Sequence, residues 1–119
     1  MILGELSLGT NDVIKLAEFY RNILKISVKN DPEIYNEIHQ VILSEGTGLT
    51  VYNNGKIKNN NNENISLAFT VEDVDEEYRR LLEMGVIVLD PPKMQPWGAK
   101  NMRFYDLDGN QIYFRSIPK

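Results

Sequence analysis

One order of apolar periods occurs twice along this 119-residue chain. Residues 2–8 alternate, with Leu6 and Leu8 on one face and Glu5 and Ser7 on the other, the pattern of a half-buried strand. Val13, Leu16, Ala17, Tyr20, Ile23 and Leu24 then recur at helical spacing, behind Asn11 or Asp12, whose side chains can accept from the free amides of a helix start. Segments 27–30, 34–43 and 49–52, separated by Asp31-Pro32 and by Gly46 and Gly48, are rich in β-branched or aromatic residues and predict a three-stranded meander. The same order returns after residue 64. Residues 65–71 set Leu67 and Phe69 against Ser66, Ala68 and Thr70, and Asp73 with Glu76 opens a helix as a capping-box variant. Val74, Tyr78, Leu81 and Leu82 form that helix's stripe, and Gly85 supplies the left-handed residue that ends it. Strands follow at 86–89, 100–105 and 111–116, the first two joined by a proline loop and the last two by Asp106-Leu107-Asp108-Gly109-Asn110. A shift of 61 positions lays Leu8-Gly9-Thr10-Asn11-Asp12-Val13 on Phe69-Thr70-Val71-Glu72-Asp73-Val74. The pattern predicts one α+β domain made of two βαβββ modules, about 1–52 and 65–117, joined by an Asn-rich connector at 53–64 with little apolar surface.

If each helix covers one face of its sheet, Leu6, Leu8, Leu67, Phe69, Ile112 and Phe114 lie beneath the helices. The opposite parity then carries Glu5, Ser7, Thr50, Tyr52, Ser66, Ala68, Thr70, Arg103, Tyr113 and Arg115, a polar set rich in hydroxyls.

Composition removes several classes of function. With no Cys the chain has no disulfide framework, no thiolate nucleophile and no Cys-based zinc site, and the cytoplasm is the expected compartment. Thirteen Lys and Arg against 17 Asp and Glu leave a net charge of −4, which disfavours a nucleic-acid partner. The apolar run 84–89 falls far short of the roughly 20 residues of a bilayer span, and the first residues read as a strand rather than a secretion signal. Neither a glycine-rich phosphate loop nor a Gly-x-Ser-x-Gly elbow is present.

Phe69-Thr70-Val71-Glu72-Asp73-Val74-Asp75, Pro91-Pro92-Lys93-Met94-Gln95-Pro96-Trp97-Gly98 and Arg103-Phe104-Tyr105-Asp106-Leu107-Asp108-Gly109-Asn110 resemble the vicinal oxygen chelate superfamily. That superfamily includes glyoxalase I, extradiol dioxygenases and the bleomycin and fosfomycin resistance proteins. Asn11-Asp12 and Phe19-Tyr20-Arg21-Asn22-Ile23-Leu24 look like its helix signature in the first module. The resemblance implies two βαβββ modules whose curled mixed sheets enclose a central cleft, helices outside, with two chains pairing as a homodimer.

The resemblance also locates the positions where metal-dependent members place ligands: Glu5, Thr50, Ser66 and Tyr113. Only Glu5 is a good donor for a divalent cation, because neutral hydroxyls bind weakly unless deprotonated. No metal or other cofactor is therefore expected unless the ligand alignment is wrong; even if a bulge shifts Glu45 into the place of Thr50, two ligands remain missing. The expected function is metal-independent binding of a small molecule, such as an antibiotic or metabolite, by Glu5, Ser7, Thr50, Tyr52, Ser66, Trp97, Arg103, Tyr113 and Arg115. The alternative is an enzyme of the same fold: a metal-dependent lyase, isomerase or dioxygenase, or a metal-free acid–base catalyst with Glu5 as the catalytic residue. Glu5 has two readings, a base tuned by burial or a carboxylate paired with Arg103 or Arg115. His39 is the only His and could form an acid–base pair with Glu5 if the two were apposed. Trp97, Tyr52 and Tyr113 could form a flat aromatic wall for a planar or cationic ligand.

Overall fold

The computed structural model describes residues 1–27, 36–57 and 64–117. The chain divides into two compact units, Met1–Asn60 and Asn61–Lys119, called modules one and two below.

Module one contains β1 (Glu5–Gly9), α1 (Val13–Leu24), β2 (His39–Leu43) and β3 (Gly48–Tyr52). The sheet order is β1-β3-β2, with β1 parallel and β2 antiparallel to β3. Asp12 caps α1 by accepting from the Lys15 amide, and the helix ends at Lys25, which takes a left-handed conformation at φ 59°. The apolar stripe of α1 puts Val13, Leu16, Ala17, Tyr20 and Ile23 in the core against Ile42, Leu49 and Val51. Each of the Val, Leu and Ile side chains contributes about 1.5–3 kcal/mol by leaving water, and together they fix which sheet face the helix covers. Leu6 and Leu8, in register with Leu49 and Val51, share that face as expected. Arg21 is also buried, and its Nη1 donates to Gln40 Oε1 at 2.6 Å, a polar tie between α1 and β2 that apolar periodicity could not reveal.

Two expectations for module one change. Strand β1 starts at Glu5 rather than at residue 2, because its partner β3 starts at Gly48, opposite Glu5. Met1, Ile2 and Leu3 are exposed, although the Thr47 hydroxyl donates to the Leu3 carbonyl at 2.8 Å. Of the three-stranded meander, the strand at 27–30 and the start of 34–43 fall on residues 28–35, outside the described residues, as do residues 58–63 of the connector. The described part of the connector turns on its own side chains: Asn53 and Asn54 accept from the amides of Gly55 and Lys56.

Module two contains β4 (Ser66–Thr70), α2 (Val74–Glu83), β5 (Val88–Met94), β6 (Lys100–Tyr105) and β7 (Gln111–Ser116). The order is β4-β7-β6-β5, parallel between β4 and β7 and antiparallel elsewhere. Asp73 accepts from the Asp75 and Glu76 amides at the start of α2, and Gly85, at φ 79°, lies just beyond its end, as the sequence predicts. Val74 and Leu81 of α2 are buried, as are Met102, Phe104, Ile112 and Phe114 of the sheet it covers. Phe114 sits edge-on to both Phe104 and Phe69, with centroids 5.0 and 6.1 Å away.

The proline segment corrects the sequence reading. Pro91 and Pro92 belong to β5, which runs on to Met94 instead of giving way to a loop after residue 89. A proline has no N–H to give a ladder, so a strand tolerates it only at an edge or a bulge. β5 supplies both: it is the outer strand, and its register against β6 shifts between Asp90 and Lys93. Among the described residues no helix is long and apolar enough to cross a membrane.

Candidate functional site

The sheet of module two has one face under α2 and one without a helix, and its register fixes which side chains share the second. One row across four strands is Thr70, Arg115, Asn101 and Lys93; the next is Ala68, Tyr113, Arg103 and Asp90. Ser66 begins a third row beside Gln111. Over this face lies a cavity of about 870 Å³. Pro91, Pro92, Gln95, Trp97 and Met102 complete its lining with most of the residues just named, and its size lies within the range of small-molecule sites.

The polar groups are held in place by one another. Arg103 Nε donates to Asp90 Oδ2 at 2.8 Å and its Nη1 to Gln111 Oε1 at 3.1 Å, which directs the guanidinium along the sheet. Arg115 Nε donates to the Thr70 hydroxyl at 3.1 Å. Gln95 Nε2 donates to the Lys93 carbonyl at 3.2 Å, while the Gln95 amide donates to the Ala99 carbonyl, closing the loop that carries Trp97. Trp97 keeps 72% of its surface exposed, so its ring is available to an incoming molecule. Gly98, at φ 96°, allows this tight turn. Tyr113 is half-buried and shares the cavity with it.

The nine expected ligand-binding residues therefore divide. Ser66, Trp97, Arg103, Tyr113 and Arg115 line this cavity together. Glu5, Ser7, Thr50 and Tyr52 lie in module one, on the sheet face turned away from α1, where Ser7 registers with Thr50 and Tyr52 with His39. Of the three aromatics, Trp97 and Tyr113 line this cavity, while Tyr52 belongs to module one and packs at Gly9. Ile57 covers Gly9 from the same side: a Cβ placed there would lie 2.5 Å from Ile57 Cδ1.

Several expectations for Glu5 and its neighbours are corrected. Glu5 is exposed and accepts from the Ser7 hydroxyl at 2.7 Å, so the burial on which a base role would depend is absent. Arg103 pairs with Asp90 and Arg115 donates to the Thr70 hydroxyl, each within module two. His39 is not apposed to Glu5. It registers with Tyr52 and Glu5 with Gly48, four positions apart along β3, which separates them by roughly 13 Å along the strands alone. Glu45 lies in the turn between β2 and β3, and the bulge falls in β2 between Val41 and Leu43, so it does not bring Glu45 to the place of Thr50.

The four positions that could hold a metal fit one poorly. Thr50, Ser66 and Tyr113 offer neutral hydroxyls, and Tyr113 registers beside Arg103, whose charge opposes that of a divalent cation. Among the described residues no three His, Asp or Glu side chains converge as a metal group. The turn at 106–110 is a hairpin turn, as expected. The Asp106 carboxylate, buried, accepts from the amides of Asp108 and Asn110 and from the Asn110 side chain, all at 2.8–2.9 Å.

Sequence reasoning missed Asp90, Pro91, Pro92, Lys93, Gln95, Asn101 and Met102 as lining residues. Five of these follow the point where the strand at 86–89 was expected to stop or sit just before it resumes in β6. Asn101 had a usable signal, since it shares the parity of Arg103.

No curated protein matches this chain. Solved structures do. A glyoxalase/bleomycin resistance protein/dioxygenase family enzyme from Burkholderia phytofirmans PsJN superposes with a TM-score of 0.81 at 12% identity, covering 99% of this chain and 100% of its own. A superfamily member from Sphaerobacter thermophilus DSM 20745 gives 0.75 at 24% identity, covering 98% and 97%. TioX from Micromonospora sp. ML1 gives 0.74 at 19% identity, covering 97% and 98%. At these identities the likeness is one of fold. The sequence pattern of the Glyoxalase/Bleomycin resistance protein/Dioxygenase superfamily matches residues 2–114, and the chain belongs to that superfamily.

Proposed function

We propose that this chain binds and sequesters a small organic molecule in the groove of module two, with no resident metal, as a homodimer in the cytoplasm. The observation that carries the reading is the groove itself: about 870 Å³ lined by an exposed Trp97, by Tyr113 and by two prolines, with a few fixed polar groups among them. Aromatic and proline surfaces supply contact area at low cost in conformational freedom, and the polar groups orient what sits there. Metal independence is supported by the donors, one exposed carboxylate and three neutral hydroxyls, and by the cationic side chains beside Tyr113. The bleomycin resistance proteins in the superfamily's name give sequestration of an antibiotic its precedent. Dimerisation is supported by β1 and β4, each an outer strand of its own sheet, whose N–H and C=O groups a second copy could engage.

Trp97 is the only Trp in the chain, so its indole signal reports on the groove alone. Screening a library of small aromatic and heterocyclic compounds by Trp97 fluorescence should yield saturable ligands whose effect vanishes in Trp97→Phe and whose affinity, read by calorimetry, falls in Tyr113→Ala. Elemental analysis after reloading with nickel, zinc, manganese and ferrous iron should find no stoichiometric metal. A tightly held equivalent would replace this reading with a metal-dependent one. Light scattering should give twice 13.7 kDa, and a mass of one chain would remove the dimer.

A further inference from the structure

Resting on that reading, we infer that the molecule taken by the groove is a planar carboxylic acid carrying a hydroxyl or N–H donor as well as its carboxylate. The chain as a whole is acidic, at −4, yet the cavity is lined by Lys93, Arg103 and Arg115 against a single carboxylate, Asp90. Arg103 is committed to Asp90 and Gln111. Among the described residues neither Lys93 nor Arg115 pairs with a carboxylate, and the only polar contact of the Arg115 guanidinium is with the neutral Thr70 hydroxyl. Two cations with no carboxylate partner among the described residues thus line one cavity in an anionic molecule, an arrangement that selects a negative ligand.

The row between them adds the second requirement. Asn101 stands in register with Lys93 on one side and Arg115 on the other, so it is the midpoint of the cationic row. Its side-chain oxygen is buried and accepts no hydrogen bond among the described residues. A buried acceptor without a donor is costly, and a ligand hydroxyl or N–H placed there would relieve that cost. The anion is a carboxylate rather than a phosphate because the lining comes from strands and the β5–β6 loop, with no helix N-terminus and no glycine to present backbone N–H groups to a phosphate. Arg115 on β7 and Lys93 on β5, with Asn101 of β6 between them, suit a carboxylate, which guanidinium binds through two N–H groups. Trp97 and Tyr113 provide the flat surface for the body of the molecule.

The probes are 4-hydroxy-2-naphthoate, whose hydroxyl is meta to the carboxylate and so free to donate elsewhere and which has all three features, 2-naphthoate, which lacks the donor, and methyl 4-hydroxy-2-naphthoate, which lacks the charge. Affinities are measured by calorimetry on the full chain, with the Trp97 indole N–H resonance as the marker of site. The hydroxy acid should bind at least about tenfold more tightly than its ester, the worth of a hydrogen bond to a charged group. It should also bind more tightly than 2-naphthoate, and that second preference should disappear in Asn101→Ala. The double variant Lys93→Gln/Arg115→Gln, both positions exposed, should lose the preference for acid over ester while still binding the ester. If acid and ester bind alike and both move the Trp97 signal, the groove binds planar molecules and the inference about charge is wrong. If no probe moves that signal, the inference falls together with the binding function on which it rests.

Discussion

The helix-free faces of the two modules start from the same strand order and end differently. In module one the register brings together Glu5, Ser7, Thr50 and Tyr52, and the chain covers part of this face itself, with Ile57 and the Tyr52 ring against Gly9. In module two the same face is left as a cavity, because β5 continues past its prolines and the loop after it holds Trp97 at the rim. The repeated pattern therefore dictates the frame, whereas a single strand extension and a single side chain distinguish the cavity of module two from the partly covered face of module one. Duplicated architecture does not imply duplicated chemistry.

The contrast can be broken most severely in the core of module two. Phe114→Ala removes a buried ring that contacts Phe104 and Phe69, at a cost of about 3–5 kcal/mol, and urea denaturation should show it as a large fall in midpoint. Loss of every ligand response at Trp97 should accompany it, since β7 carries Tyr113 and Arg115 on its other face. A smaller effect is expected at the hairpin tip joining β6 to β7. Asp106→Ala leaves the amides of Asp108 and Asn110 without their acceptor and should cost about 1–3 kcal/mol by the same assay. Module one's β2–β3 turn contains no such carboxylate lock and relies instead on Gly46 at φ 65°. Gly46→Ala should therefore cost only about 1 kcal/mol, a backbone effect without lost hydrogen bonds.

The mildest change tests the covered face directly. Gly9→Ala drives a methyl into Ile57 Cδ1, the far end of a flexible side chain, so a rotamer change should absorb it for about 0.5–1.5 kcal/mol. Combined with Ile57→Ala that penalty should vanish, which a double-mutant cycle by urea denaturation would read as coupling. Additive costs would mean that Ile57 does not cover Gly9.

Most of the frame was legible in sequence because the frame is set by periodicity and punctuation. Asp12, Asp73 and Gly85 mark helix ends by local chemistry, and Leu49, Val51, Ile112 and Phe114 declare their face by parity. The site was legible only where parity sufficed. Ser66, Arg103, Tyr113 and Arg115 came from alternation, and Trp97 from its turn. Lys93 and Asp90 were lost because two prolines look like a loop unless the strand is known to be outermost and bulged, a property of sheet order that no local pattern carries. Parity says which residues share a face, but partners are set by register, which gave Arg103 to Asp90 across one ladder.

The paired prolines have one more effect, on crowding during synthesis and storage. The outermost ladder of a sheet is where aggregation by strand addition begins, and Pro91 and Pro92 remove two successive N–H donors from that border just where the bulge bends it. Growth of this sheet beyond β5 is thus hindered, whereas its other outer strand, β4, has an unbroken run of amides from Ser66 to Thr70 that could template another strand. The residues that wall the groove also guard this edge against fibril-like polymerisation, so replacing them to widen the pocket would cost solubility.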